Sequence, residues 1–238
     1  MLAEALDADR PVLQFVSRSR QVEAEDPQTL DERLARAPVR SVGAKKHVFT
    51  QGDHRSHLYR VEAGAICLYK VLPDGRRQVI GFAYPGDVLG LGPSGAHKHN
   101  AQATRPSRLR CLPWRSIERA ARQNPALGMT VWELMAQELT AAQSLLLTIG
   151  QRTAAERVAA FLLELSRRNA HRGEDARLIA LPMTRTDIGD LLALTIETVS
   201  RILSQLRRHK IIDLEQTSRV QILDIEALMR LARGGKDW

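Results

Sequence analysis

The chain has 238 residues, enough for one large or two small domains, and 44% of them are hydrophobic against 26% charged. No apolar run is long enough to span a membrane, and the N-terminus lacks the basic and apolar regions of a secretory signal. The only two cysteines, Cys67 and Cys111, exclude a disulfide scaffold and four-cysteine zinc or iron–sulfur sites. We therefore expect a cytoplasmic protein, whose net charge of +8 favours an anionic partner.

The first half of the chain predicts a short helix followed by a β-rich domain. Residues 1–25 have no sustained period and are expected to form a flexible tail. Asp26 as N-cap and Pro27 in the first turn predict a helix that stops at Pro38. Residues 39–113 alternate short apolar runs with glycine turns, which is typical of a small β-sandwich or barrel. The expected strands are 48–49, 58–61, 65–69, 78–82 and 109–112.

After Trp114 the pattern becomes helical. A short helix over 115–122 is followed, after Asn124 and Pro125, by a helix of about 25 residues with apolar side chains three and four residues apart. This helix either packs on the β domain or forms a seam with another helix. We favour the seam because a helix of this length has more apolar surface than a small barrel covers. The expected interface residues are Val131, Leu134, Met135, Leu139, Ala142, Leu145, Leu146 and Ile149.

Residues 184–208 predict two helices joined by a three-residue turn. Thr184 caps the first helix, Gly189 lies where the two helices approach, and Thr195 caps the second. The outer face of the second helix presents Ile196, Glu197, Ser200 and Arg201. Arg binds guanine and Glu accepts a hydrogen bond from cytosine in the major groove, so this helix suits DNA recognition. A structural helical hairpin with a solvated Glu–Arg pair is the alternative.

Two further elements complete the C-terminal part. The runs 211–214 and 220–223 predict a hairpin, which after a recognition helix would be a wing. Asp224 predicts the cap of a final amphipathic helix. The segment 153–156 is a capping box that opens a helix before the recognition unit.

The segment TIETVSRIL (195–203), preceded by TRTDIGDLL, resembles the winged helix of the CRP/FNR family of bacterial transcription regulators. Its Glu-x-x-Ser-Arg pattern is similar to the FNR and FixK branches, and FTQGD (49–53), LYRVEAG (58–64) and PGD (85–87) resemble the family's β-roll. The resemblance covers roughly residues 27–232. It implies an α+β fold with a sensor-like β-roll (26–124), a dimerisation helix (125–150) and a winged helix-turn-helix domain (151–238).

The resemblance also implies what the site residues do. In each TTGA-type half-site of a palindromic site, Arg201 would read the guanine, Glu197 the paired cytosine and Ser200 a thymine. Ile196 stands where cyclic-AMP receptors usually have Arg, which favours the TTGA type. The residues that match DNA-backbone contacts are Thr184, Arg185, Thr195, Thr198 and, on a wing without the usual glycine, Ser218. The implied partners are double-stranded DNA, a second copy of the chain and RNA polymerase.

The β-roll lacks the expected ligand residues of its relatives. No Glu follows Gly90 or Gly92, and His99-Asn100 stand where cyclic-AMP binders have Arg-Ser. FNR's N-terminal cysteine array is missing as well. The resemblance thus favours a FixK-like regulator that activates genes of low-oxygen or related metabolism without a cofactor, a catalytic residue or enzymatic activity.

Alternatives remain for the β-rich half. His97-x-His99 would suit a cupin-type metal enzyme, but the Glu that should follow is missing, and exposed loop histidines are the favoured interpretation. Haem ligation by one of the histidines would give a gas or redox sensor with the same DNA output. Cys67 and Cys111 lie among apolar neighbours and are expected to be buried, inert thiols.

Overall fold

The computed structural model describes residues 29–92, 95–215 and 218–235. The chain forms two compact units, which within the described residues cover 29–140 and 141–235. The division falls inside the long helix. The tail expected over residues 1–25 lies outside the described residues, as do Asp26 and Pro27. No helix in the described ranges is long and apolar enough to cross a membrane.

The first unit is built on two four-stranded antiparallel sheets. Its strands are β1 (Val39–Val42), β2 (His47–Phe49), β3 (His57–Ala63), β4 (Ile66–Val71), β5 (Arg77–Ala83), β6 (Val88–Leu89), β7 (Asn100–Ala103) and β8 (Ser107–Pro113). One sheet has the order β1-β8-β3-β6 and the other β2-β7-β4-β5. Inward side chains from both sheets form one apolar core that includes Val61, Leu109, Ile66 and Leu68. This confirms the predicted β-roll and adds three strands, β1, β6 and β7.

The first helix, α1 (Leu30–Arg36), begins later than the sequence predicted. Its N-cap is Thr29 and not Asp26. The Thr29 hydroxyl accepts a hydrogen bond from the Glu32 amide, and the Glu32 carboxylate accepts one from the Thr29 amide, both at 3.3 Å. This reciprocal capping box satisfies two amides that a helix start leaves unpaired, which explains the shorter helix.

Among the residues described in this unit, three helices flank the sheets: α1, α2 (Trp114–Gln123) and the first part of α3 (Pro125–Gln151). Leu34, Ile117 and Leu127 form a second apolar cluster with Leu58 of β3. Leu134 is 4% exposed in this cluster, with Val131 and Met135 packed against it. These three residues were expected at a dimer interface. The interface stays a prediction, but the Leu134 side chain is already buried within its own chain, and Val131 and Met135 are half-buried against the same cluster.

Another face of α3 is left open. Trp132 is 66% exposed, Leu139 60% and Leu146 72%, and Met129 is exposed as well. Together with Ala136 and Gln143, also exposed, these side chains recur at alternating spacings of three and four residues. We call the set formed by Met129, Trp132, Ala136, Leu139, Gln143 and Leu146 the α3 seam. It has the heptad spacing of helices that pair with each other.

The second unit contains four helices and three strands among its described residues, besides the end of α3. They are α4 (Ala154–His171), β9 (Leu178–Ala180), α5 (Arg185–Leu192), α6 (Ile196–Arg208), β10 (Ile212–Leu214), β11 (Arg219–Ile222) and α7 (Ile225–Ala232). The predicted capping residues Thr153 and Asp224 accept hydrogen bonds from the first turns of α4 and α7. The strands form an antiparallel sheet of order β10-β11-β9. This is a winged helix-turn-helix unit, as predicted.

Candidate nucleic-acid interface

The turn between α5 and α6 fixes the angle at which the second helix leaves the first. Ala193 adopts a left-handed conformation (φ 54°), and the Leu194 amide donates to the Gly189 carbonyl at 2.9 Å. A Cβ at position 189 would lie 2.6 Å from the Leu194 carbonyl oxygen. Only glycine permits this approach, so the sequence prediction for Gly189 is confirmed.

Side chains hold both ends of α5. The Thr184 hydroxyl accepts from the Asp187 amide at 3.1 Å, and the Asp187 carboxylate accepts from the Thr184 amide at 2.9 Å. At the other end, the Arg157 guanidinium donates to the Leu192 carbonyl at 3.0 Å and to the Arg152 carbonyl at 2.9 Å. This role of Arg157 leaves no signal in the sequence pattern because its target carbonyl is 35 residues away.

The second helix, α6, separates a buried face from an exposed one. Val199, Ile202, Leu203 and Leu206 are at most 3% exposed and anchor the helix in its unit. The Thr195 hydroxyl caps the helix by accepting from the Thr198 amide at 3.2 Å. On the opposite side Ile196, Glu197 and Arg201 are exposed, and Ser200 is half-buried. The predicted base-reading residues therefore lie on one open face.

The charge of Glu197 is fixed by the helix start. The Glu197 amide and the Thr195 hydroxyl act as hydrogen-bond donors that lower the pKa of its carboxyl below the ordinary value. The side chain is thus an acceptor at neutral pH. An acceptor beside the Arg201 donor is the combination that reads a C·G pair in the major groove.

The residues predicted to contact the DNA backbone also lie at the surface. Thr184, Thr195 and Ser218 are exposed, whereas Arg185 and Thr198 are half-buried. Thr184, Arg185, Thr195 and Thr198 cluster at the N-termini of α5 and α6, where amide groups favour phosphate.

A basic groove runs beside the C-terminal half of α6. It has a volume of about 500 Å³ and is lined by Arg201, Ser204, Arg207, Arg208 and, from the wing, Leu214. The Arg207 guanidinium donates to Asp213 at 3.2 Å. The helix α6 continues through Arg208. The side chains of Arg207 and Arg208 therefore lie on the helix itself.

The wing is a hairpin of β10 and β11, in which Ile212 pairs with Ile222. Its second strand also pairs with β9, and the Leu181 amide donates to the Ser218 carbonyl at 2.8 Å. Ser218 is thereby held at the edge of the described wing. Gln216 and Thr217 lie outside the described residues.

The β-roll residues at the expected cyclic-phosphate position do not fit that ligand. The Asn100 amide is occupied on both sides, accepting from the Gln51 amide at 3.0 Å and donating to the Tyr69 carbonyl at 3.4 Å. Burial, with the charges of His97 and Lys70, lowers the pKa of His99 to about 4, so His99 is neutral at pH 7. The pair therefore provides neither the cation nor a free hydroxyl for a phosphate.

Two expectations for this domain need correction. His97 is not an exposed loop histidine: it is 5% exposed and stacks on Phe49, with ring centroids 3.6 Å apart. Cys67 is buried as predicted, but Cys111 is only half-buried. Burial raises the pKa of the Cys111 thiol, which keeps it protonated. No group of three metal-ligating side chains occurs in the described ranges, and the haem alternative stays a prediction.

Comparison with known proteins supports both halves of the assignment. Residues 156–231 match the family model of the Crp-like helix-turn-helix domain. Residues 39–124 match that of the cyclic nucleotide-binding domain. The second match concerns the domain family; the Asn100 contacts and the neutral His99 described above remain a departure from it.

Individual relatives identify the branch of the family to which the chain belongs. The nitrogen fixation regulation protein FixK of Rhizobium meliloti is 36% identical over 86% of this chain and 95% of that protein. FixK of Bradyrhizobium diazoefficiens is 41% identical over 68% of each. The solved structure of FixK2 from Bradyrhizobium japonicum superposes with a TM-score of 0.78 at 37% identity, covering 82% of this chain and 96% of that one. The chain is a member of the CRP/FNR family of DNA-binding transcription regulators, in its FixK-like branch.

Proposed function

We propose that the chain acts as a homodimeric activator that binds a palindromic TTGA-type site without a cyclic nucleotide or iron–sulfur cluster. The observation that carries this proposal is the open face of α6, where Glu197, Ser200 and Arg201 project beside a capped helix start. Arg201 would donate to guanine, Glu197 would accept from the paired cytosine, and Ser200 would meet a thymine. Ile196, 43% exposed, would contact a thymine methyl group.

The DNA backbone would be held by two groups of side chains. The helix-start residues Thr184, Arg185, Thr195 and Thr198, with Ser218 on the wing, would position the protein in register. Arg207 and Arg208, in the basic groove, would add charge along the same strand. Such contacts raise affinity for any sequence and make binding salt-dependent, whereas the base-reading residues determine specificity.

Dimerisation would use the α3 seam. Its Trp132, Leu139 and Leu146 are exposed large apolar side chains at heptad spacing, which a second copy of α3 would cover. Two-fold symmetry then requires two half-sites of opposite direction. A role in low-oxygen metabolism is supported by relatives such as the anaerobic regulatory protein of Pasteurella multocida, 35% identical over 78% of this chain. RNA polymerase is the proposed protein partner.

The test is fluorescence anisotropy with purified protein and no added ligand. One duplex carries TTGAT-N4-ATCAA, a second replaces the G·C pair of each half-site by A·T, and a third is scrambled. Wild-type protein should prefer the first. Arg201→Ala should lose about 1–3 kcal/mol per half-site on the first duplex and be indifferent to the G·C replacement. Arg230→Ala, an exposed Arg on α7, is the charge-matched control.

Salt dependence separates the two kinds of contact. Arg208→Ala should weaken binding to all three duplexes and reduce the slope of log affinity against log salt by about one. Equal, weak binding of wild-type protein to all three duplexes would contradict the proposal that the protein recognises this site without an effector.

A further inference from the structure

The guanidinium of Arg55 is buried, and two of its nitrogens have no hydrogen-bond partner among the described residues. The residue is 7% exposed, and its Nε and Nη1 atoms are buried with no acceptor within reach in the described part of the chain. Burial lowers the pKa of the guanidinium, and the charge of Glu118 acts in the opposite direction. A buried charge is normally paired, because leaving it unpaired costs several kcal/mol.

A second unpaired donor lies against the same side chain. The guanidinium carbon of Arg55 is 4.0 Å from the centroid of the Trp114 ring. The indole Nε1 of Trp114 is likewise buried without a hydrogen-bond partner. The cation–π contact stabilises the guanidinium from its face but accepts none of its N–H groups.

These donors lie at the start of a helix that has no cap of its own. Trp114 is the first residue of the ten-residue helix α2, and the preceding Pro113 makes no side-chain capping hydrogen bond. The first turn contains no acidic residue. The Trp114 amide donates to the Ser56 carbonyl at 2.9 Å, which joins the helix start to the segment carrying Arg55. A helix start of this kind carries partial positive charge and favours an anion.

We propose that Arg55, Trp114 and the first turn of α2 form a binding site for a small oxyanion, a carboxylate or a phosphate group. The oxyanion would accept from the Arg55 guanidinium and the Trp114 indole N–H while compensating the buried charge. The site does not involve Asn100 or His99, so it is separate from the cyclic-phosphate position of the domain family. It also does not depend on the DNA site proposed above.

The direct test is calorimetric titration of the full-length protein with sodium phosphate and, separately, sodium acetate, at constant ionic strength set with sodium chloride. Wild-type protein should bind one or both with one site per chain, and Arg55→Met should weaken binding at least tenfold. Trp114→Phe keeps an aromatic ring but removes the N–H, and should weaken binding about 3- to 10-fold. Arg105→Met removes an exposed Arg of the same unit and should bind like wild type.

Thermal unfolding of the same proteins provides the second readout. In chloride alone, Arg55→Met should unfold at the same temperature as wild type or higher, since it removes an unpaired buried charge. Adding oxyanion at about ten times its dissociation constant should raise the wild-type Tm by roughly 3 °C and leave that of Arg55→Met unchanged. Binding of phosphate alone would identify phosphate esters as the ligand class, and binding of acetate alone would identify carboxylates.

Three results would overturn the proposal: no saturable binding of either oxyanion, equal binding by Arg55→Met, or an equal Tm rise with chloride. If Arg55→Met does not fold, Arg55→Lys replaces it, because lysine keeps the charge but loses the planar set of donors. Its affinity for the oxyanion should then be lower than that of wild type.

Discussion

Truncation of the α3 seam separates dimer formation from the stability of the β-roll. Full burial of a leucine side chain contributes about 1.5–3 kcal/mol. Leu139 is 60% exposed, so covering this exposed part in a dimer contributes roughly 1–2 kcal/mol for each copy. Because a symmetric interface contains two copies, Leu139→Ala should cost about 2–4 kcal/mol and raise the dimer dissociation constant about 30- to 800-fold.

Leu134→Ala is the matched control, since it is the same truncation five residues earlier on the same helix. Leu134 is 4% exposed in the cluster with Leu58 and Ile117. Its truncation should cost about 2–5 kcal/mol of unfolding free energy. At concentrations where the protein is folded, the dimer dissociation constant should stay near the wild-type value.

Sedimentation equilibrium over a range of protein concentrations measures the first effect, and urea unfolding at fixed concentration measures the second. Unfolding of a dimer depends on concentration, so all variants need the same one. The reasoning fails if Leu139→Ala dimerises within threefold of wild type. It also fails if folded Leu134→Ala dissociates as readily as Leu139→Ala.

Three further predictions concern the recognition unit and the β-roll. Gly189→Ala should destabilise the winged unit by about 1–3 kcal/mol in urea unfolding because its Cβ meets the Leu194 carbonyl at 2.6 Å, whereas Gly150→Ala, with nothing within 4 Å, should not. Arg157→Met should lose about 1–3 kcal/mol by the same assay and weaken DNA binding, with Arg230→Met as the unaffected control. The unfolded state protonates His99 near pH 6.5 and the folded state near its lowered pKa of about 4, so the His99 contribution to stability is lost as the pH falls through this window. In urea unfolding at pH 7, 6 and 5, His99→Gln should therefore lack a slope of unfolding free energy against pH of up to about 1.4 kcal/mol per pH unit that wild type shows. Burial raises the pKa of Glu138 to about 7, and the opposite slope that results is common to both proteins.

The recognition unit was predictable because its determinants are local. Thr184 with Asp187, and Thr195 with the Thr198 amide, are capping contacts within one helical turn. The apolar spacing from Val199 to Leu206 likewise concerns one face of one helix. Only the support from Arg157, which reaches the Leu192 carbonyl from another helix, left no signal in the sequence.

The β-roll was less predictable because pairing, not composition, defines several of its strands. β7 has the sequence NAQA, which contains no strand-favouring residue, yet it pairs with both β2 and β4. Its Ala101 and Ala103 fit the core because they are small. β1 is exposed at three of its four positions, and β6 has only two residues. Neither has an alternation that the sequence could reveal.

The long helix shows why periodicity alone could not identify the face that packs on the β-roll. Apolar residues occur on several faces of α3, so the spacing cannot tell which face the β-roll takes. The structure assigns Leu127 and Leu134 to the β-roll and leaves Trp132 and Leu146 exposed. The burial of Arg55 and His97 could not be predicted from the sequence either, because both residues lie next to turns in segments with the composition of polar loops.

Asn100 connects the fold to the proposed effector-free mode. Its amide joins the Gln51 backbone to that of Tyr69, so the position that would hold a cyclic phosphate instead links two segments of the chain. A site already satisfied by internal hydrogen bonds gains little from a ligand, because a phosphate would have to displace both contacts and face the neutral His99. A ligand shifts a conformational equilibrium only by its difference in affinity for the two states. We therefore expect any ligand that acts on this β-roll to bind elsewhere in the domain. The unpaired N–H donors of Arg55 and Trp114 are the place that we propose.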